Sequence, residues 1–251
     1  MKAVWRILGL LLAGAIALQL FFIGRMALMT VVDPQSTTFQ RSEAWRIATT
    51  RGSFRWRQEW VPYQRISDHL KRAVIASEDG SFTSHEGVDW EALEKAWERN
   101  AQAEARAARQ QARGAARQHF APAAPARPPK VVGGSTISQQ LAKNLLLSGE
   151  RTLLRKGEEF LLTLALEQML SKERILEIYL NSVEWGEGVF GAEAASRHYY
   201  RKSAAQLTAY EAARLAVMLP RPKYFEKLPN SGYLASRAST IVARMRAAEL
   251  P

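Results

Sequence analysis

The chain has 251 residues and not one cysteine. Disulfides and thiolate metal sites are thereby excluded. The lack suits an oxidising compartment, where stray thiols are a hazard. Histidine is scarce as well. His69, His85, His119 and His198 are scattered without a close pair, which argues against a structural zinc site. No internal repeat occurs, so a solenoid is excluded. Acids are outnumbered, with 24 Asp and Glu against 35 Lys and Arg and a formal charge of +11. Such an excess calls for an anionic partner: nucleic acid, a phospholipid surface or a phosphorylated substrate. The length allows one ordinary domain with extras and a core large enough to fold unaided.

Charge is also missing from residues 7–24, where Gln19 is the only strongly polar side chain. As a helix at ~1.5 Å per residue this run reaches ~27 Å, close to the hydrocarbon thickness of a bilayer. Arg25 interrupts it, and residues 26–32 are apolar again. Lys2, Arg6 and the amino terminus put that end in the cytoplasm by the positive-inside tendency. Ala15-Ile16-Ala17 resembles a signal-peptide cleavage site, but the apolar run continues through residue 23 instead of turning polar. An uncleaved anchor is expected. Residues 31–40, with Asp-Pro and a Ser/Thr cluster, read as a tether.

Chemistry concentrates in residues 75–89, IASEDGSFTSHEGVD. An apolar run brings Glu78 and Asp79 to the end of a helix that Ser67 can cap and Gly80 breaks. Leu70, Ala73 and Val74 form the apolar face of that helix. Phe82, His85 and Gly87 follow. A carboxylate among apolar and aromatic groups loses solvation, and its pKa rises toward the range of a general base. Acidic pairs at helix ends are also common as plain solvated turns.

Phe54, Trp56 and Trp60 alternate as in a short strand ended by Pro62. A helix from Asp89 sets Trp90, Leu93 and Trp97 on one side, which reads as core. Residues 101–129 differ in kind, with twelve Ala, five Arg and a single Glu before a Pro-rich exit at Pro122, Pro125, Pro128 and Pro129. Arg106, Arg109, Arg113 and Arg117 would line one stripe of a helix that has almost nothing apolar to bury. The segment reads as an inserted arm, a passive linker or a contact for anionic headgroups. From Ser135 onward the pattern is nearly all helix, with a glycine-rich connection at Gly186, Gly188 and Gly191. Thr208 and Glu211 form a capping box for a later helix.

A second polar group follows Gly133-Gly134-Ser135-Thr136, a tight helix entry whose free N–H groups favour anions. Thr136, Gln140, Lys143 and Asn144 share an arc of about 100°, beside the apolar stripe Ile137, Leu141 and Leu145. The polar stripe has no acid, unlike a solvated Glu/Lys face, and its donors suit phosphate and sugar oxygens. Its lysine lies too deep in the helix for a P-loop. Arg155, Lys156 and Glu159 share one face of the next helix, a pattern that taken alone is an ordinary surface ion pair.

Together these pieces closely resemble the peptidoglycan glycosyltransferases, in particular the monofunctional biosynthetic peptidoglycan transglycosylases of Gram-negative bacteria. The likeness rests on Glu78-Asp79-x-x-Phe82-x-x-His85-x-Gly87-x-Asp89 and Gly134-Ser135-Thr136-Ile137-Ser138-Gln139-Gln140-x-x-Lys143-Asn144. It continues with Arg155-Lys156-x-x-Glu159, Lys172-x-x-Ile175-Leu176-x-x-Tyr179-Leu180-Asn181 and Gly186-x-Gly188-x-x-Gly191-x-x-x-Ala195. It covers about 45–251 apart from the arm. Ser138 stands where many relatives have Thr, and the arm occupies a segment that is short in the family.

The resemblance implies a mainly α fold: a lysozyme-like helical lobe with a small membrane-proximal jaw, preceded by one N-terminal transmembrane helix. The expected layout is a cytoplasmic tail at 1–6, the span at 7–29, a tether at 30–44 and the glycosyltransferase domain at 45–251 with the 101–129 arm inserted. It implies polymerisation of lipid II into glycan strands, by inverting transfer to an acceptor 4-hydroxyl with release of undecaprenyl pyrophosphate. Glu78 is then the base, and Glu159 the second catalytic carboxylate, orienting cations or helping to hold a metal. Asp79, Phe82 and His85 shape the base's surroundings, while Ser135, Thr136, Gln140 and Asn144 position sugar or phosphate groups. Lys143, Arg155 and Lys156 neutralise the leaving pyrophosphate. No cofactor is required, a divalent cation (Mg or Mn) at the pyrophosphate being optional, and no metal ligands are assigned. Expected partners are lipid II, the growing strand, the bilayer and proteins of cell division or wall synthesis, with no nucleic acid. The expected location is the bacterial inner membrane, with the catalytic domain in the periplasm. No S-x-x-K motif is present, which argues against a β-lactam-binding domain. The rival readings are a lysozyme-like murein-cleaving enzyme and a membrane-anchored basic binding protein.

Overall fold

The structure, a computed structural model, describes residues 2–50, 54–117, 134–147 and 152–251, with the backbone alone at 111–117. In chain order the elements are helix α1 (Lys2–Leu28), α2 (Thr38–Thr50), strand β1 (Arg57–Gln58), α3 (Asp68–Glu78), α4 (Trp90–Arg117), α5 (Ile137–Leu146), α6 (Leu153–Met169) and α7 (Lys172–Ser182). There follow β2 (Glu184–Gly186), β3 (Val189–Phe190), α8 (Ala192–Tyr200), α9 (Ala209–Met218), α10 (Pro222–Phe225) and α11 (Gly232–Arg244). The mainly helical class is as expected.

The chain divides into two compact units. The first takes residues 1–87 and 136–251. Its centre is α9, packed on α3 and α11, with α5 packed on α6 and α7. Local chemistry sets these helices. The Ser67 hydroxyl accepts from the His69 amide to start α3. Capping boxes open α5 (Thr136 with Gln139) and α9 (Thr208 with Glu211). Leu70, Ala73 and Val74 are fully buried, as the sequence pattern required. A three-stranded sheet of order β1-β3-β2 closes one side, with β1 parallel to β3 and β2 antiparallel to it. Trp56 stacks on Phe190 at 4.5 Å between centroids.

α1 is long and apolar enough to cross a membrane, and most of its side chains are exposed. Its last turns are different. Phe22, Met26 and the following Met29 are buried in the first unit's core, and α1 packs on α6. The helix runs through Arg25, whose Nη2 donates to the Ser36 carbonyl at 2.9 Å.

Two readings need correction. The stretch 31–40 is not wholly a tether, because α2 begins at Thr38. Thr37 and Gln40 bond reciprocally, Thr37 N–H to Gln40 Oε1 at 2.8 Å and Gln40 N–H to Thr37 Oγ1 at 3.0 Å, a capping box within the Ser/Thr cluster. Gln40 Nε2 also donates to the buried Ser182 carbonyl at 3.2 Å.

The second correction concerns the second unit, residues 88–135. Asp89 caps α4 by accepting from the Ala92 amide at 2.7 Å. α4 then runs unbroken into the Ala/Arg stretch. Trp90 and Trp97 are not core: they are 65% and 76% exposed, and Leu93 is 41% exposed. Among the described residues Gly134 comes close to α4, where a Cβ would lie 3.4 Å from Ala96 and Leu93. The arm's residues 118–129, with its Pro-rich exit, and Gly133 lie outside the described residues.

Candidate active site

Glu78 is the last residue of α3 and is partly buried. Its Oε2 accepts from Gln140 Nε2 at 3.2 Å. Gln140 in turn accepts, through Oε1, from the hydroxyl of fully buried Tyr179 at 3.0 Å. α3, α5 and α7 thus meet at one carboxylate. Burial is the largest influence on Glu78 and raises its pKa above the ordinary carboxylate value. The Gln140 and Ser77 hydrogen bonds act against that rise, and Asp79 adds to it.

Asp79 turns the other way. Its carboxylate accepts from His85 Nε2 at 2.9 Å and from the Ile137 amide, at the first turn of α5, at 2.9 Å. His85 Nδ1 accepts the Gly87 amide at 3.1 Å, so the ring proton sits on Nε2 and is donated to Asp79. Phe82 has no exposed surface and meets the His85 ring edge-on. Thr136, also buried, gives its hydroxyl to the Gly87 carbonyl and caps α5. These four residues fasten the end of α3 to the start of α5. They shape the place of Glu78 from behind. Ser135, at the edge of the second unit, is exposed.

A cleft of about 570 Å³ is lined by Gln140, Lys143 and Asn144 from α5 and by Arg155 from α6. The residue that hydrogen-bonds Glu78 is therefore also a wall of the space that Lys143 and Arg155 face. Arg155 Nη1 lies 3.3 Å from Glu159 Oε2, and Lys156 bonds Glu159 Oε1. Glu159 is buried, so the trio is no ordinary surface pair. Arg155 Nε is buried and has no hydrogen-bond partner among the described residues, leaving one N–H for an anion.

Glu184 also lines the cleft, and sequence reasoning missed it. Burial raises its pKa to about 7; Lys223, with Nζ 3.3 Å away, opposes the rise, and nearby Glu43 adds to it. Nothing in the spacing marks this residue, since its charged neighbours, Glu43 on α2 and Lys223 on α10, are distant from it in sequence. Among the described residues no cluster of three or more His, Asp or Glu could hold a metal ion.

The description "Transglycosylase" belongs to the family that matches this chain over residues 46–116 and 111–246. Curated relatives called biosynthetic peptidoglycan transglycosylase are similar over almost the whole chain. One from Burkholderia thailandensis is 50% identical over 240 residues, covering 95% of this chain and 84% of its own length. Another, from Paraburkholderia phytofirmans, is 49% identical over 236 residues, covering 94% of this chain and 88% of its own. A third, from Burkholderia orbicola, is 48% identical over 244 residues, covering 97% and 90%.

Proposed function

The chain belongs to the transglycosylase family, and from that premise we propose how its residues divide the work of a peptidoglycan glycosyltransferase that polymerises glycan strands. The substrates that this activity implies are lipid II and the growing strand. Glu78 removes the proton of the acceptor 4-hydroxyl as that oxygen attacks the donor's anomeric carbon. The bond from that carbon to the pyrophosphate oxygen breaks in the same in-line step, so the α-linked donor gives a β-linked product. The leaving pyrophosphate is a stable anion and needs neutralisation more than protonation. Lys143 and Arg155 supply it from the cleft wall, and Lys156 adds charge nearby. Gln140 and Asn144 position sugar or phosphate oxygens, with Ser135 beside the entry to α5.

Glu159 then orients cations and acts as no acid. Both of its oxygens already hold cationic groups, one on Arg155 and one on Lys156. That arrangement suits a pyrophosphate and does not fit a divalent ion held by Glu159. The anchor helix supports a location in the bacterial inner membrane with the lobe on the periplasmic side.

One observation carries the reading: Glu78 is hydrogen-bonded by Gln140, and Gln140 lines the same cleft as Lys143 and Arg155. Glu78→Gln is expected to abolish polymerisation of labelled lipid II while leaving the fold intact, with a melting temperature no lower than the wild type's. Appreciable glycan synthesis by that variant would remove Glu78 as the base.

A further inference from the structure

Beside the sheet lies a separate cavity of about 440 Å³, which shares no lining residue with the cleft. Its apolar wall includes Ile47 of α2 and Val189 of β3, both buried. Its charged wall includes Arg55 and Arg57, just before and on β1, with His198 of α8 and Glu226 after α10.

Arg57 is held from behind by a chain of hydrogen bonds. Its Nη1 lies 2.9 Å from His198 Nδ1. A guanidinium can only donate, so Nδ1 accepts and the ring proton sits on Nε2. Nε2 donates to Glu226 Oε1 at 3.2 Å, and Glu226 Oε2 accepts the Glu187 amide at 2.8 Å. The His198 ring also stands edge-on to Tyr199, 4.6 Å between centroids. One guanidinium is thereby aimed, and among the described residues it meets no carboxylate. The other acids nearby are engaged elsewhere: Glu187 pairs with Arg46 at 2.6 Å and Glu59 with Arg197 at 3.3 Å. The Arg55 side chain makes no ion pair or hydrogen bond among the described residues. Two guanidiniums thus face one carboxylate, Glu226, that is already hydrogen-bonded.

Both cations ride on fixed backbone. The Arg57 amide donates to the Gly188 carbonyl at 2.8 Å, and the Arg55 carbonyl lies against Gly188 where a Cβ would clash. We propose that this cavity binds a carboxylate carried on a short organic body, such as the C-terminal end of a peptide. The forked donors of Arg55 and Arg57 take the carboxylate, since guanidinium matches its two oxygens. Ile47 and Val189 receive the apolar part of the body. A bare inorganic ion would leave most of the space unfilled and that apolar wall unused. The proposal does not depend on the assignment of Glu78 as the base.

Calorimetric titration of the full-length protein in detergent tests this, at ~0.15 M salt so that diffuse attraction to a basic protein is screened. The probes are acetyl-alanyl-alanine, its carboxamide and inorganic phosphate. The free acid is expected to bind once per chain, and the carboxamide about tenfold or more weakly. Arg55→Ala and Arg57→Ala should each weaken the free acid about tenfold or more. Arg65→Ala, which removes an exposed charge outside the cavity, should leave it unchanged. All three variants are expected to keep the wild-type melting temperature and the wild-type rate of lipid II polymerisation. Absence of saturable binding by the folded wild type would overturn the proposal. So would equal binding of acid and carboxamide, or equal losses at positions 57 and 65, since either reports diffuse attraction. Phosphate bound more tightly than the free acid through Arg55 and Arg57 would overturn the carboxylate in favour of a phosphorylated ligand.

Discussion

Glu78 and Glu184 are both raised above the ordinary carboxylate pKa, with burial the largest cause in each. In the proposed role of base Glu78 needs its proton off, so the rise costs charged form at low pH and gives proton affinity in return. Glu184 has a different consequence. Its folded pKa is about 7, and an unfolded glutamate titrates near ~4.3. Between those values the folded state binds more protons than the unfolded one, so stability is full at acid pH and falls as pH rises toward 7. The upper bound on that loss is roughly 3–4 kcal/mol at 1.36 kcal/mol per pH unit. Glu184→Gln is expected to raise the melting temperature at pH 8 and leave it unchanged near pH 5. An equal gain at both would place the effect in packing. In the same cleft, Lys143→Ala should lower polymerisation by weakening donor binding, read as a higher KM for lipid II. Unaltered donor affinity would take Lys143 away from the pyrophosphate.

At the scale of elements, the sheet depends on a glycine turn. Gly188 has φ +70, and a Cβ there would sit 2.1 Å from the Arg55 carbonyl oxygen. Its own carbonyl accepts the Arg57 amide at 2.8 Å, which fixes the parallel pairing of β1 with β3. Gly188→Ala adds left-handed strain to that clash and should cost more than ~2 kcal/mol, measurable by urea denaturation. Helices were the most legible part of the sequence, because their signals are local. Ser67, Thr136 and Thr208 all cap as their spacing indicated. The pairing of β1 with β3 was hidden because the partners are about 130 residues apart. Trp90 and Trp97 misled because a 3.6-residue stripe shows only that a helix has an apolar face, not what covers it. In the site, Glu78, Gln140, Lys143 and Arg155 were legible as motifs, whereas Tyr179's bond to Gln140 needed the fold.

At the scale of the whole molecule, anchor and lobe are not separable pieces. Phe22, Met26 and Met29 belong to the same core as Leu141, Leu162 and Ile178. Losing a buried Phe or Met typically costs about 2–5 kcal/mol. A chain beginning at residue 21 keeps all three, and one beginning at residue 30 keeps none. The shorter chain is expected to be less stable by several kcal/mol in chemical denaturation under matched detergent, and to expose apolar surface. Equal stabilities would show that these turns only rest on the lobe.

This shared core also imposes an order of assembly. α1 precedes α6 and α7 in the chain, so as the proposed membrane anchor it is made, and can insert, before they exist. The later helices then complete their packing on a stub already fixed at the membrane. A copy of the chain that misses insertion has its core-completing turns joined to a long apolar helix with nowhere to go, so failed targeting and failed folding become the same event.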